Sequence, residues 1–284
     1  MTTSDRILLA LQPDASAADL LAHAAAWAGL LGLRIDLCAV LPGLVASDPL
    51  HLSAGALGAS ETAVDDQRRV AAWLADQLDD LPPELRGNGD VRLGDPAAEI
   101  RDCSADYALL MVGTHHRRDL ARLLLGSVAE TLVRTAHCPV LVLPPARRAV
   151  PEAPVVHLPL DPADPQLQAI EWVRDHLPSA ALTAVYRLPL LETFDPRASA
   201  TTYDEADTRL RTALEEAGHE DLARLVIVRE DTTLSGALAH EAQGGDVDLI
   251  ALPTHGRTGL AHLLFGSVSE QLVRSADCAV LVVR

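Results

Sequence analysis

The sequence predicts an α/β protein built from two tandem, doubly wound domains, each with a five-stranded parallel sheet. Three observations indicate this: short apolar runs alternate with helical segments, 284 residues suffice for two domains, and one stretch occurs twice. The stretch THHRRDLARLLLGSVAETLVRTAHCPVLVL, from Thr114, returns from Thr254 as THGRTGLAHLLFGSVSEQLVRSADCAVLVV. About two thirds of the aligned positions are identical, and a period near half the chain indicates two copies of one domain rather than a solenoid.

A proline-rich stretch separates the two copies. The sequence PPARRAVPEAP, from Pro144 to Pro154, is typical of a linker. We therefore expect a first domain over residues 1–145, a linker over 146–154 and a second domain over 155–284.

The first domain starts with a short apolar run, typical of a buried strand, followed by an Ala/Leu-rich helical pattern that Asp14 or Ser16 can cap. A long loop is expected over 42–60, and Gly94-Asp95-Pro96 predicts a turn with proline at the start of the third helix. The predicted elements are strand 7–11, a helix to about 31, strand 33–40, helix 61–78, strand 91–93, helix 96–104, strand 108–112, helix 127–136 and strand 140–143.

The second domain repeats this order, with a loop over 188–201. Its predicted elements are strand 155–160, helix 164–177, strand 181–186, helix 203–217, strand 222–228, helix 234–243, strand 247–252, helix 267–276 and strand 280–283. In such sheets ligands bind outside the carboxyl ends of the strands, where the strand order reverses. The loops after the first and fourth strands of each domain are therefore the expected sites.

Composition excludes several classes of protein. All 23 basic residues are arginine, so a lysine-dependent phosphate-binding loop and a Schiff-base enzyme are both excluded. The net charge of −17 argues against binding to nucleic acid or to anionic membranes. No apolar stretch is long enough to span a membrane and the start does not resemble a signal peptide, so we expect a cytoplasmic protein.

The four cysteines lie far apart in the sequence, without a C-x-x-C pair. This spacing supports neither a zinc ribbon nor a thioredoxin-like motif. We expect buried thiols with no redox role at Cys38, Cys103, Cys138 and Cys278.

Each fourth strand leads through a loop and a Gly-Ser pair into a helix. The N-terminus of a helix offers unpaired N–H groups and a partial positive charge, glycine permits close approach, and serine adds a donor. Gly126-Ser127-Val128 and Gly266-Ser267-Val268 are therefore the candidate phosphate-binding segments. The alternative is a capping box, in which serine caps the helix and pairs with Glu130 or Glu270 three residues later.

These segments resemble the universal stress protein family, whose ATP-binding members carry G-x-x-G-x9-G-[ST] after the fourth strand and an Asp at the end of the first. The resemblance covers both halves and implies a Rossmann-like fold of the adenine nucleotide alpha hydrolase type. In the first domain the motif positions that match are Gly113, Gly126 and Ser127. His116 stands in place of the second glycine, and Gln12 in place of the Asp.

The second domain departs from the motif elsewhere. Its matching positions are Asp161, Gly256, Gly266 and Ser267, whereas Pro253 replaces the first glycine. A histidine at a glycine position should crowd a triphosphate, and proline removes one N–H donor. A carboxylate accepts hydrogen bonds from ribose or adenine better than a neutral amide does. The second domain is therefore the better nucleotide-binding candidate, with Arg257 able to reach a phosphate.

The resemblance implies a stress-response regulatory module that binds ATP or AMP, with Mg²⁺ carried by the nucleotide and no metal site of its own. It also implies that the last strands pair the two domains as a pseudo-dimer and leaves a homodimer open. We assign no catalytic residue, because His115 and His255 lack the partners of a catalytic histidine. Two alternatives remain: a degenerate module that binds a partner through its long loops without nucleotide, and, less favoured, a slow ATPase or adenylyl transferase.

Overall fold

A computed structural model describes most of the chain. The described residues are 5–42, 55–114, 126–145, 149–161, 165–187, 196–227, 234–243, 245–253, 271–274 and 276–284. They separate into two compact units, the first ending at Ala149 and the second beginning at Val150.

In the first unit five parallel strands follow the order β3-β2-β1-β4-β5. The strands are β1 (Arg6–Ala10), β2 (Arg34–Leu41), β3 (Arg86–Leu93), β4 (Leu109–Gly113) and β5 (Val140–Leu143). The helices are α1 (Ala17–Leu31), α2 (Gly55–Asp79), α3 (Pro96–Cys103) and α4 (Ser127–Thr135). The chain order reverses between β1 and β4, as in other doubly wound sheets.

Apolar runs form the most deeply buried strands of this sheet. All four residues of β5 and the first four of β4 are buried, as expected for strands with both faces covered. Trp27 of α1 is 1 % exposed, and α1 ends at Gly32, whose φ of 65° is the left-handed conformation that glycine adopts most easily.

The edge strand β3 is longer than its sequence predicts, beginning at Arg86 rather than at 91. Its first half, RGNGD, is polar and glycine-rich and carries no strand pattern. A buried carboxylate on the neighbouring strand holds it in place: Asp36 is 6 % exposed and accepts a hydrogen bond of 2.7 Å from the Asn88 amide. The tertiary contact therefore overrides weak local propensity.

Asp36 has two further partners from other strand ends. Its carboxylate lies 3.1 Å from Arg6 Nη1 and accepts a hydrogen bond of 3.1 Å from the Tyr107 hydroxyl. Burial and the adjacent carboxylate raise the pKa of Tyr107, and the same carboxylate raises the pKa of Arg6. This polar cluster connects β1, β2, β3 and the segment before β4.

The second unit has the same strand order, β8-β7-β6-β9-β10, and its strands are also parallel. The strands are β6 (Val155–Pro159), β7 (Ala181–Arg187), β8 (Ala223–Ile227), β9 (Leu249–Pro253) and β10 (Ala279–Val283). The helices are α5 (Gln168–His176), α6 (Pro196–Glu216) and α7 (Leu234–Gln243), and residues 271–274 are also helical. The predicted α/β class and the five-stranded parallel sheets are confirmed.

Three helices start at residues other than those predicted, whereas the ends differ by one residue at most. The helices α2 and α6 begin at Gly55 and Pro196, so the predicted loops 42–60 and 188–201 are shorter than expected. Proline suits the first position of a helix because its missing N–H has no intrahelical partner there. The helix α5 begins at Gln168, after Pro165, instead of at 164.

No helix in the described part of the chain is long and apolar enough to cross a membrane.

Candidate functional site

The candidate site of the first unit lies at the carboxyl ends of β1 and β4, where the strand order reverses. Beyond β1 the Leu11 amide donates to the Cys38 carbonyl at 2.9 Å, and beyond β4 the Thr114 amide donates to the Leu143 carbonyl at 3.0 Å. Each loop is thus anchored to the sheet by a backbone hydrogen bond at its first residue. Gln12 follows and is exposed to solvent.

Gly113 closes β4 beneath the first turns of α1. A Cβ atom at this position would lie 2.7 Å from Leu20 Cδ2 of that helix. A larger residue would have to displace Leu20, so the requirement for glycine comes from close packing. The match of Gly113 to the nucleotide-binding motif therefore also has a structural reason.

Thr114 places an unpaired hydroxyl next to Gly113. Its Oγ1 atom is buried and has no hydrogen-bond partner within the described part of the structure. Buried polar atoms are normally satisfied, so an orphaned hydroxyl at a sheet edge marks a place where a ligand atom or a water would fit. Sequence reasoning treated Thr114 only as the start of the repeat. The sequence feature that could have singled out Thr114 was its recurrence as Thr254 in the second copy of the repeat.

The helix α4 begins at this same edge with an open N-terminus. Gly126 is its N-cap, with extended backbone (φ −65°, ψ 150°), and no side chain among the described residues caps the helix. Ser127 is the first helical residue and is exposed, and Val128 is partly exposed. Helix geometry leaves the amides of the first turn without intrahelical acceptors.

The capping-box alternative is therefore wrong for the first domain. A capping box needs the serine at the N-cap, whereas Gly126 occupies that position and Ser127 follows it. The carboxylate of Glu130 lies 3.3 Å from Arg134 Nη2, one turn later on α4. The exposed Ser127 therefore stands in the first turn of the helix and not at its N-cap.

The strand registers make Gln12 and Asp161 counterparts. In the first unit Ile7 pairs with Leu109, and in the second Val156 pairs with Leu249. Gln12 and Asp161 each follow the first residue of their pair by five positions. Asp161 is exposed at the carboxyl end of β6, and the preceding Leu160 amide donates to the Val185 carbonyl at 2.8 Å.

Pro253 is the counterpart of Gly113. Each is the last residue of its fourth strand, and Pro253 pairs with Val283 as Gly113 pairs with Leu143. Proline has no N–H to offer a ligand at this edge. The strand registers thus align two of the three positions at which the motifs differ, Gln12 with Asp161 and Gly113 with Pro253, whereas His116 and Gly256 lie outside the described residues.

A buried tyrosine lies next to the loop of Asp161. Tyr186, in β7, is fully buried, and its hydroxyl donates to Asp207 Oδ1 of α6 at 2.7 Å. Arg211 Nη2 lies 2.5 Å from the other carboxylate oxygen, which raises the pKa of Arg211. This network ties α6 to the strand beside β6. Sequence reasoning missed it, because nothing local links Tyr186 to Asp207.

Several predicted site residues fall outside the described part of the chain. These are Gly256, Arg257, Gly266, Ser267 and Val268, together with His115, His116 and His255. The structure places Gly113, Gly126, Ser127 and Val128 in elements that meet the carboxyl edge of the first sheet, and Asp161 at that of the second. Within the described residues no group of three or more His, Cys, Asp or Glu could hold a metal ion.

Comparisons with known proteins agree with the fold of two similar units. The sequence model described as "Universal stress protein family" matches residues 3–144 and again 155–284. Universal stress protein Rv2005c of Mycobacterium tuberculosis is 26 % identical over 233 residues, covering 78 % of this chain and 77 % of that protein. Universal stress protein MJ0531 of Methanocaldococcus jannaschii is 37 % identical over 82 residues, covering 25 % of this chain and 48 % of that protein.

Solved structures share the fold along the whole chain. A universal stress protein from Archaeoglobus fulgidus superposes with a TM-score of 0.63 at 18 % identity, covering 99 % of this chain and 98 % of that one. The functionally unknown protein PA1789 of Pseudomonas aeruginosa gives a TM-score of 0.65 at 20 % identity, covering 99 % and 92 %. At these identities the likeness concerns the fold alone.

Proposed function

The chain belongs to the universal stress protein family, and from that premise we propose that it is a stress-response regulatory module that binds ATP or AMP in at least its second domain. The observation that carries the proposal is the exposed carboxylate of Asp161 at the carboxyl end of β6. It lies in the register position at which the first domain has Gln12. The order of the strands reverses beside it, where ligands of doubly wound sheets bind.

The role proposed for Asp161 is to accept hydrogen bonds from ribose hydroxyls or the adenine amino group. Hydrogen bonds to an ionised acceptor are stronger than those to a neutral amide. Gln12 offers only an amide oxygen at the equivalent position. The phosphates would then meet Gly256, Arg257, Gly266, Ser267 and Val268. The placement of the phosphates at these five residues rests on the sequence motif of the family.

The first domain supplies phosphate donors but a weaker sugar contact. The N-terminus of α4 at Gly126, Ser127 and Val128, which no described side chain caps, fits an anion, and the Thr114 hydroxyl, without a partner among the described residues, lies at the same sheet edge. The chain has no lysine, so these amides and hydroxyls, with arginine, are its available phosphate donors. We rank the first domain second because of Gln12 and His116.

Mg²⁺, when present, would arrive with the nucleotide and neutralise phosphate charge. The net charge of −17 makes this compensation more important than in a basic protein. We assign no catalytic step to the site. Cytoplasmic location, the pairing of the two domains and a homodimer stay predictions.

Isothermal titration calorimetry of the full chain with ATP and with AMP, each with and without Mg²⁺, tests the proposal. We expect binding heat from the wild type. In the double variant Asp161→Ala, Gly266→Val, the part of this heat that the second domain contributes should be lost. The valine would push the backbone away from the phosphate, and the alanine removes the acceptor. Heat unchanged in the double variant would refute the assignment of the site.

The alternative is a degenerate module that binds a partner without nucleotide. Pro253 favours it, because the residue that ends β9 has no N–H to give to a phosphate. The test is the absorbance of the supernatant after denaturing freshly purified protein. A stoichiometric amount of adenine nucleotide contradicts the alternative, and its absence together with no binding heat supports it.

A further inference from the structure

Two of the four cysteines meet in the first unit although 65 residues separate them in the sequence. Cys38 lies on β2 and Cys103 is the last residue of α3, which packs against that strand. Both are free thiols, 1 % and 8 % exposed, and each shifts the pKa of the other, as expected for thiols that lie close together. A disulfide requires two thiols brought close together in this way, from a strand and a helix packed on it.

Charged side chains surround the pair from β3 and α3. Cys38 stands opposite Asp90 in the register of β2 and β3, and Asp90 Oδ2 accepts a hydrogen bond of 2.9 Å from Arg92 Nε. Arg92 Nη1 also lies 3.5 Å from Glu99 Oε2 of α3. Arg92, which acts on the pKa of both thiols, is thus shared with two carboxylates.

We propose that Cys38 and Cys103 form a reversible disulfide when the protein meets a peroxide-class oxidant, which makes this pair a modification site of the first domain. The site is absent from the second domain, because the residue in the register position of Cys38 is Val185. The proposal is independent of nucleotide binding.

The reaction balances with hydrogen peroxide as the only oxidant. Cys103, the more exposed thiol, attacks one peroxide oxygen: an S–O bond forms, the O–O bond breaks, and the leaving hydroxide takes the thiol proton as water. Cys38 then attacks the sulfenic sulfur: the S–S bond forms, the S–O bond breaks, and a second water leaves. Two thiols lose two electrons, and one peroxide is reduced to two waters.

The surroundings make this reaction slow at neutral pH. Burial raises the pKa of Cys38 to about 12 and also raises the pKa of Cys103. The thiolate is the nucleophile, so little of it is available in the resting protein. Arg92 lowers the pKa of Cys103, whereas Asp90 and Glu99 raise it. The pair therefore resists weak oxidants and responds to strong or prolonged oxidation, faster at higher pH.

The disulfide would fix the end of α3 to the middle of β2. The helix α3 starts after the Gly94-Asp95-Pro96 turn, whose Gly94 amide donates to the Leu41 carbonyl at the end of β2. Both ends of α3 would then be attached to the same strand. The oxidised first domain should unfold at a higher temperature, because the link closes a long loop in the unfolded chain.

The experiment treats the full chain with hydrogen peroxide, blocks remaining thiols with N-ethylmaleimide, and maps peptides without reduction. We expect one linked pair of peptides, containing Cys38 and Cys103, which dithiothreitol separates. We also expect a thermal midpoint raised by at least about 5 °C. In Cys103→Ser the linked peptide and the rise in midpoint should both be lost.

A second variant keeps the test decisive if Cys103→Ser folds poorly. Glu99→Gln retains both thiols and removes one of the carboxylates that oppose the thiolate, so it should form the disulfide several-fold faster than the wild type. Absence of the linked peptide from folded wild-type protein overturns the proposal. Equal amounts of peptides linked through Cys138 or Cys278 also overturn it, since they would indicate random oxidation.

Discussion

The polar cluster around Asp36 predicts that Gly87→Ala destabilises the first domain strongly. An added Cβ would overlap Asp36 Oδ1 and lie 2.5 Å from the Ile35 carbonyl oxygen. The backbone oxygen cannot rotate away, so β3 must move from β2. Asp36 then loses its hydrogen bond from the Asn88 amide, which is 2.7 Å long.

Two costs add in this variant. Overpacking costs about 1–3 kcal/mol, and a buried acceptor that loses its donor costs about 1–3 kcal/mol. The arginine and the tyrosine hydroxyl still contact the carboxylate, which limits the second cost. We therefore expect a loss of roughly 2–5 kcal/mol in the free energy of unfolding.

Gly89→Ala, in the same strand, is the matched control. A Cβ there would lie 3.3 Å from Leu74 Cβ, a contact that a small shift relieves. Both substitutions change the entropy of the unfolded chain alike, so their difference isolates the clash with Asp36.

Urea unfolding followed by tryptophan fluorescence measures the difference. A Trp172→Phe background leaves Trp27 and Trp73, both in the first unit, as the reporters. If Gly87→Ala and Gly89→Ala agree within about 0.5 kcal/mol, the reasoning from the Asp36 cluster is refuted.

Three further predictions concern single contacts. His23 donates from Nδ1 to the Pro144 carbonyl at 3.0 Å and accepts from Trp27 at Nε2, and burial lowers its pKa below the ordinary 6.5. As the pH falls, the ring is therefore protonated first in the unfolded chain. The stability that this histidine provides is present above pH 6.5 and is lost below it. In His23→Gln, unfolding curves taken between about pH 7.5 and about pH 5.5 should show a smaller loss of stability. Gly113→Val should displace Leu20 and cost about 1–3 kcal/mol in urea unfolding, and an unchanged midpoint would contradict the close contact. Tyr186→Phe should cost about 1–2 kcal/mol in the second domain, read from Trp172 fluorescence, and a neutral effect would argue against the hydrogen bond to Asp207.

The fold was predictable wherever burial produces a pattern along the chain. Helix 234–243 and strand 140–143 have the predicted bounds, because apolar periodicity and flanking polar residues mark their ends. The strand β3 was mostly missed, since its first half depends on Asp36, some fifty residues earlier in the sequence. Such a contact leaves no local signal.

The candidate site was predictable where a motif carries it. Gly126 and Ser127 lie at the start of α4 as the Gly-Ser pair predicts, although the capping box does not form there. Side-chain packing decides two features that were not predictable. These are the Thr114 hydroxyl, which has no partner among the described residues, and the closeness of Cys38 to Cys103. The expectation that no redox role follows from the cysteines rested on sequence spacing alone, and the proposed disulfide departs from it.

We propose above that Asp161 makes the second domain the better nucleotide site. The most direct measurement is the affinity of the Asp161→Gln variant for ATP, since this change gives the second domain the residue of the first. Loss of a charge-assisted acceptor predicts roughly tenfold to hundredfold weaker binding, whereas Gln12→Ala should leave the affinity unchanged. Wild-type affinity in Asp161→Gln, or a loss in Gln12→Ala instead, would contradict the account.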